Sequence, residues 1–238
     1  MVKLQNVTRA HLGLLLANLV WAVNYPFYKV LMPHYITPVA LATFAVTVAG
    51  LLGLVSLFWG GIEKIDRNDI YKFIGAALLM GIAKKLLLMI GMQHTSPIEA
   101  SIIATLGPIL VLVFSFFFGI DRFTPMKVLG MVLGMGGALL VILSGGGAVT
   151  SGEKLMGNLF VVGAIAASSF SMVWLKGLIM KYRPITVLRV YYPMAAVMLL
   201  PFGFDSMIHT DFAAMPAEAL WMFFYNRKAD GTAPAKKV

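Results

Sequence analysis

Two adjacent lysines, Lys84 and Lys85, stand inside an otherwise apolar stretch, residues 71–92. An ammonium at the centre of a bilayer costs about 2.5–3.5 kcal/mol on insertion scales. Neighbouring helical residues point about 100° apart, so one cleft does not shelter both equally. At least one of the two is expected to line a water-filled cavity and attract an anionic group, such as a carboxylate. The alternative is that both face water or the helix bundle, or lose their charge through burial. Glu99 is the only carboxylate close to any apolar stretch, so ion pairing accounts poorly for two lysines.

A second group of polar residues lies on the first apolar stretch: Asn18, Trp21, Asn24, Tyr25 and Tyr28. Trp21, Tyr25 and Tyr28 follow the i, i+4, i+7 spacing of one helical face. Pro26 frees backbone carbonyls beside them. These residues fit the wall of a substrate path, and fit equally well the packing of two helices with amides bonded across the contact. Ser168, Ser169, Ser171 and Trp174 offer a similar set later in the chain. Ser101, Thr105 and Pro108 add hydroxyls and a candidate hinge. Lys29, Lys176 and Arg189 lie about one turn inside apolar stretches, where snorkelling to headgroups is the expected role.

Catalytic patterns are missing from this inventory. The chain has no cysteine, so a disulfide or thiolate site is excluded. It shows no phosphate-binding glycine loop ending in Lys-Ser/Thr, no His-Glu-x-x-His and no Ser/His/Asp set. No enzymatic activity, metal or cofactor is expected.

The elements that carry these residues follow from composition. Of 238 residues, 60% are hydrophobic and 12% charged, against about 25% charged in soluble domains. That supply of charge cannot clothe a water-facing surface, so the remaining apolar surface faces lipid. Spanning about 30 Å takes about 20 apolar residues in a helix. Seven stretches qualify: residues 11–32, 38–60, 71–92, 97–119, 126–144, 157–180 and 184–202. Their continuity rules against a barrel, whose strands alternate. The expected fold is an all-α polytopic membrane protein with about seven transmembrane helices and a short eighth.

The net charge of +9 is distributed as topology requires, so no nucleic-acid partner is expected. Lys and Arg are enriched in cytoplasmic loops. Lys3 and Arg9 precede the first stretch. Lys64, Arg67 and Lys72 follow the second, Arg122 and Lys127 the fourth, Lys181 and Arg183 the sixth. The odd-numbered loops hold only Lys154. A cytoplasmic N-terminus in a bacterial inner membrane is expected.

Shifting the chain by 147 residues places Lys29 on Lys176, Tyr35 on Tyr182, Leu41 on Leu188 and Phe44 on Tyr191. The pattern implies duplication of a five-helix unit. Five is odd, so the second copy enters from the opposite side. Inverted repeats of this kind are common in secondary transporters, with the site near the midplane. The expected units are residues 11–146, a five-helix repeat, and 157–225, a partial inverted second repeat.

The segment Gly91-Met-Gln-His-Thr-Ser-Pro97, followed by Ala100-Ser-Ile-Ile103 and Pro108, resembles the third and fourth helices of the drug/metabolite transporter superfamily, EamA branch. Gly119-Ile-Asp-Arg122 and Leu178-Ile-Met-Lys-Tyr-Arg-Pro184 fit the same pattern. The resemblance implies two inverted five-helix repeats and alternating-access export of small metabolites such as amino acids, without a hydrolysed nucleotide. Family members usually carry Arg seven residues after the Pro opening the second helix, where this chain has Ala45. The family's common Glu after Gly beyond the fourth helix is absent, with Asp121 one place further on. The resemblance also implies ninth and tenth helices. This chain has instead a short apolar segment, 216–225, and a polar tail, 226–238, expected to be disordered. The alternative expectation is therefore a C-terminally truncated, non-transporting remnant. Gly130 and Gly134 form Gly-x-x-x-Gly, expected to pack closely against another helix and leaving room for a homodimer.

Overall fold

A computed structural model describes residues 11–12, 15, 25–32, 35–61, 63–122, 124–144 and 152–210. Among these, all regular structure is helical. The main helices among the described residues are α1, helical over 25–31; α2, Pro38–Val55; α3, Arg67–His94; α4, Pro97–Phe117; α5, Pro125–Ser144; α6, Gly152–Trp174; and α7, Pro184–Ile208. Five of them (α2, α3, α4, α6 and α7) are long and apolar enough to cross a membrane. The expected short eighth segment and the tail lie outside the described residues.

Helix starts follow local chemistry. Thr37 and Ser96 each accept a hydrogen bond from a first-turn N–H, Ala40 and Glu99, at 3.2 Å. Proline follows each cap, where its missing N–H costs nothing. Several expected spans run longer or break. The third starts at Arg67 rather than at 71, because Asp69 and Lys72 hold its first turn as a 3.0 Å pair. The fourth is interrupted at Thr105 and Leu106, just before Pro108, which cannot donate to the preceding turn. Ser169 Oγ, from α6, donates to the Gly107 carbonyl at this break, at 3.1 Å. The sixth pauses at Leu175, then resumes as Lys176–Lys181.

Close backbone approach sets the packing. Helices α2 and α7 run antiparallel, with Thr43 against Gly203, Gly50 against Ala196 and Gly53 against Arg189. Helices α3 and α6 also run antiparallel. A Cβ on Gly91 would lie 2.8 Å from the Gly157 carbonyl oxygen, so only glycine permits this contact. Helix α4 runs parallel to α6. Helix α5 leans on α4 through Gly134, whose Cα faces Ile109. Among the described residues nothing lies within 4 Å of a Cβ on Gly130, so there the close packing expected of the Gly-x-x-x-Gly pair is met at Gly134 only.

The buried apolar residues form two clusters. One gathers Met32, Leu41, Met89, Met92, Ile103 and Val161. The other gathers Phe73, Leu175, Leu178, Tyr191 and Leu199. Leu86 packs against both, so the seam between the two cores falls beside Lys84 and Lys85.

Candidate functional site

Helix α3 positions the two lysines through an irregularity. Over Ala77–Ala83 its hydrogen bonding widens to a π-helix, and Lys84 opens the regular α-helix that follows. A π-turn inside an α-helix rotates the residues after it and recurs at functional sites. Here Gly81 lets this stretch approach α7: a Cβ on Gly81 would lie 2.5 Å from the Ala195 Cβ.

Lys85 reaches α1. Its Nζ donates to the Tyr28 hydroxyl at 3.4 Å and lies 5.7 Å from the centroid of that ring. An ammonium over an aromatic face is attracted by the ring quadrupole. Lys85 is half-buried, and it has no carboxylate partner at ion-pair distance among the described residues. Lys84 is likewise half-buried. Tyr25 packs against the first apolar cluster on the same helix as Tyr28. Lys85, Tyr28 and Tyr25 thus share one neighbourhood, with Lys84 the adjacent residue on α3. Trp21 and Asn24 lie outside the described residues.

The other candidates are placed elsewhere. Ser171 is buried and donates to the Ser168 carbonyl at 2.8 Å. Trp174 lies over Gly75, near the start of α3, and stacks on Phe170 at 6.3 Å. Ser101 and Thr105 are exposed and donate to carbonyls one turn back, Ile98 and Ile102, at 2.7 and 2.6 Å. Pro108 sits at the observed break in α4. The structure therefore joins Lys85 to Tyr28, while the described contacts of Ser101, Thr105, Ser171 and Trp174 go to other residues.

Two snorkelling expectations are corrected. Lys29 Nζ donates to the carbonyls of Gln93 and Thr95, at 3.1 and 2.9 Å, with Met92 at 3.4 Å. It caps the C-terminus of α3, where unsatisfied carbonyls and the helix dipole favour a cation. Arg189 is buried. Its guanidinium donates to Ser56 Oγ at 2.8 Å and to the Ser56 and Gly61 carbonyls at 2.6 Å. It caps α2 in the same way. Both side chains are taken up by carbonyls at a neighbouring helix end.

Two polar clusters went unread in the sequence. At the end carrying the basic loops, buried Asp69 accepts from Lys181 at 2.6 Å, Tyr182 at 2.9 Å and Lys72 at 3.0 Å. Glu63 accepts from the Arg183 N–H at 2.9 Å. Hydrogen bonds from Thr186 and that N–H hold the Glu63 carboxyl below its usual range. Asp66 and Asp69 both hydrogen-bond Lys181, which raises that ammonium above its usual range. At the other end, buried Glu99 pairs with Lys154 at 2.6 Å and accepts from Thr95 at 3.0 Å. The Thr95 hydroxyl also meets the Asn158 amide. The spacing Ser96-x-x-Glu99, a capping-box pattern, was a usable local signal for Glu99. Beside this end lies an open cleft of about 330 Å³ between Tyr35–Thr37 and Asp205–Thr210.

Comparison with known proteins places this arrangement. The chain matches the EamA-like transporter family over residues 8–143. An uncharacterized transporter of Archaeoglobus fulgidus is 25% identical over 73% of this chain and 60% of its own length. The uncharacterized transporters YoaV and YvbV of Bacillus subtilis are 25% and 26% identical, over 92% and 84% of this chain and 75% and 65% of theirs. The chain thus spans about 60% of the length of the Archaeoglobus relative. A solved crystal structure shares the fold with a TM-score of 0.54, at 18% identity over 87% of this chain and 72% of that one. The family match covers more than half of the sequence, and the all-α, lipid-facing architecture agrees with it: the chain is a multi-pass membrane protein of the EamA-like transporter family.

Proposed function

We propose that the protein is a secondary transporter that exports small metabolites bearing an anionic group, amino acids among them, across a bacterial inner membrane. The observation that carries this reading is Lys85. It lies deep in a spanning helix, directly after a π-turn, with its ammonium on Tyr28 and at the seam of two apolar cores. A cation there is costly unless water or a counter-anion reaches it. A substrate carboxylate would supply the missing charge, and Tyr25 and Tyr28 would offer it aromatic and hydroxyl contacts.

Alternating access of two inverted units is the proposed motion, one unit being α1–α5 and the other beginning at α6. With a shift of 147, Ala196 is the counterpart of residue 49, and its contact with Gly50 brings near-equivalent positions of α2 and α7 together, as a two-fold axis between the two units would. The basic loops share one end of the bundle, which supports a cytoplasmic placement for it and for the N-terminus.

Purified protein in liposomes loaded with labelled amino acids tests the reading. Flux above empty liposomes, reduced in Lys85→Met, is expected. Equal flux in protein-containing and empty liposomes, across neutral and acidic amino acids, would overturn it.

A further inference from the structure

Each end of the bundle carries a buried carboxylate of α1–α5 held by a partly exposed lysine from α6 or its continuation. At the basic end the carboxylate is Asp69, 7% exposed, and the lysine is Lys181, 47% exposed. At the opposite end they are Glu99, 6% exposed, and Lys154, 30% exposed. Each pair has a neutral second donor: the Tyr182 hydroxyl on Asp69, the Thr95 hydroxyl on Glu99. Each also has a side chain tying the second unit to the first, the Tyr182 hydroxyl oxygen accepting from the Asp66 N–H and Asn158 meeting Thr95.

We infer that Asp69 and Glu99 are the gating carboxylates of this protein, Asp69 shutting the basic end and Glu99 the opposite end. The inference rests on the transport reading for its purpose, but its structural content stands separately. A buried carboxylate that loses a charged partner is left with less compensation, which is unfavourable: among the described residues Glu99 has Lys154 alone, while Asp69 keeps Lys72 at 3.0 Å. Each clamp therefore has two stable conditions: dry with its lysine in place, or open with water around the carboxylate. A half-open clamp has lost its α6-side lysine without yet gaining water. Such bistable contacts turn small displacements into discrete switching. The lysine is the exposed member at both ends, so its departure is the step that admits water.

Helix α3 links the two clamps mechanically. Asp69 lies in its first turn and Glu99 just beyond its last, with the π-turn between them. The irregular turn gives the two halves of α3 a place to tilt separately, so one clamp can release while the other holds.

The chain has no cysteine of its own, so paired spin labels go only where cysteines are introduced. One pair, Lys64→Cys with Arg183→Cys, reports the basic end. A second, Ile98→Cys with Glu153→Cys, reports the opposite end. Pulsed-EPR distances are measured on the full 238-residue chain in nanodiscs. Asp69→Asn is expected to add a longer-distance population to the first pair and leave the second unchanged. Glu99→Gln is expected to do the reverse. If Asp69→Asn does not fold, Lys181→Met removes the same contact from its exposed side and carries the same expectation. Unchanged distances at both ends, in variants with wild-type elution and helical circular dichroism, would overturn the inference. So would widening of both ends together. Flux is measured on the same preparations: a wild type without flux overturns the transport reading and leaves the distance result to be judged alone.

Discussion

Arg189 and Ser56 stand 133 residues apart in sequence, and the guanidinium holds both the hydroxyl and the carbonyl of that serine. A third bond goes to the carbonyl of Gly61, the residue whose positive φ of 59° ends the short turn after α2. One buried cation thus closes α2 from the neighbouring helix. Arg189→Met leaves these acceptors without their charged donor. Hydrogen bonds to charged groups are worth about 1.5–3 kcal/mol, so a loss of this order in stability is expected. Thermal unfolding in detergent, followed by circular dichroism, measures it. Arg189→Lys, lacking the forked geometry, should recover only part.

Gly157 sits where α6 touches α3. A Cβ there would lie 2.9 Å from the His94 carbonyl carbon and 3.0 Å from the Gly91 oxygen. Both are backbone atoms that cannot rotate away. Gly157→Ala should cost about 1–3 kcal/mol through overpacking. Gly130→Ala meets nothing within 4 Å and should be neutral or stabilising by up to about 1 kcal/mol from helix propensity. Paired melting curves of the two variants separate close approach from general glycine content.

Lys85→Met should reduce flux of an anionic substrate by about tenfold or more. A charge-assisted hydrogen bond is worth about 1.5–3 kcal/mol, and about 1.4 kcal/mol is a factor of ten. Tyr28→Phe removes the hydroxyl at 3.4 Å but keeps the ring, so a smaller reduction is expected. Initial rates at several substrate concentrations give both effects. Unchanged rates in Lys84→Met and Lys85→Met alike would remove the lysines from the substrate path.

Asp121 gives a pH prediction outside the spans. The Lys127 ammonium, 2.7 Å away, and the Arg122 N–H hold its carboxyl below the usual range. Its folded pKa is therefore below its unfolded one. The stabilisation is present above the unfolded pKa, about 3.9, and is lost as pH falls through the folded value. The difference in unfolding midpoint between wild type and Asp121→Asn should be small, because the pair is partly exposed. It should be present at pH 7 and shrink below about pH 4. A gap that grows on acidification would contradict the assignment.

Much of the fold was legible because its causes are local. Continuous apolar runs, prolines after Thr37 and Ser96, and the loop lysines each act on their own segment, and helices start and turn where these residues stand. Lys84 and Lys85 were legible as anomalies because a charge in an apolar run needs a reason wherever it is. The partner of Lys85 was less so: Tyr28 belongs to another helix, and Trp174, equally prominent in sequence, packs over Gly75 instead. The glycines divide similarly. The repeated Gly130 and Gly134 gave a visible motif, yet the solitary Gly91 and Gly157 make the backbone contact.

The sequence by itself determined that this chain crosses a membrane as helices, which end of each helix is basic, and where charge is out of place. Burial, helix length and loop charge depend on composition along one segment, so no partner need be known. Tertiary structure decided what each charge touches. A lysine one turn inside a helix end has the same local sequence whether it reaches a headgroup or a neighbour's carbonyls. Lys29 and Arg189 chose carbonyls because α3 and α2 end beside them. Glu99 became a buried pair because α6 brings Lys154 to it. Lys85 keeps its place on Tyr28 at the seam of the two cores because a π-turn aims it there.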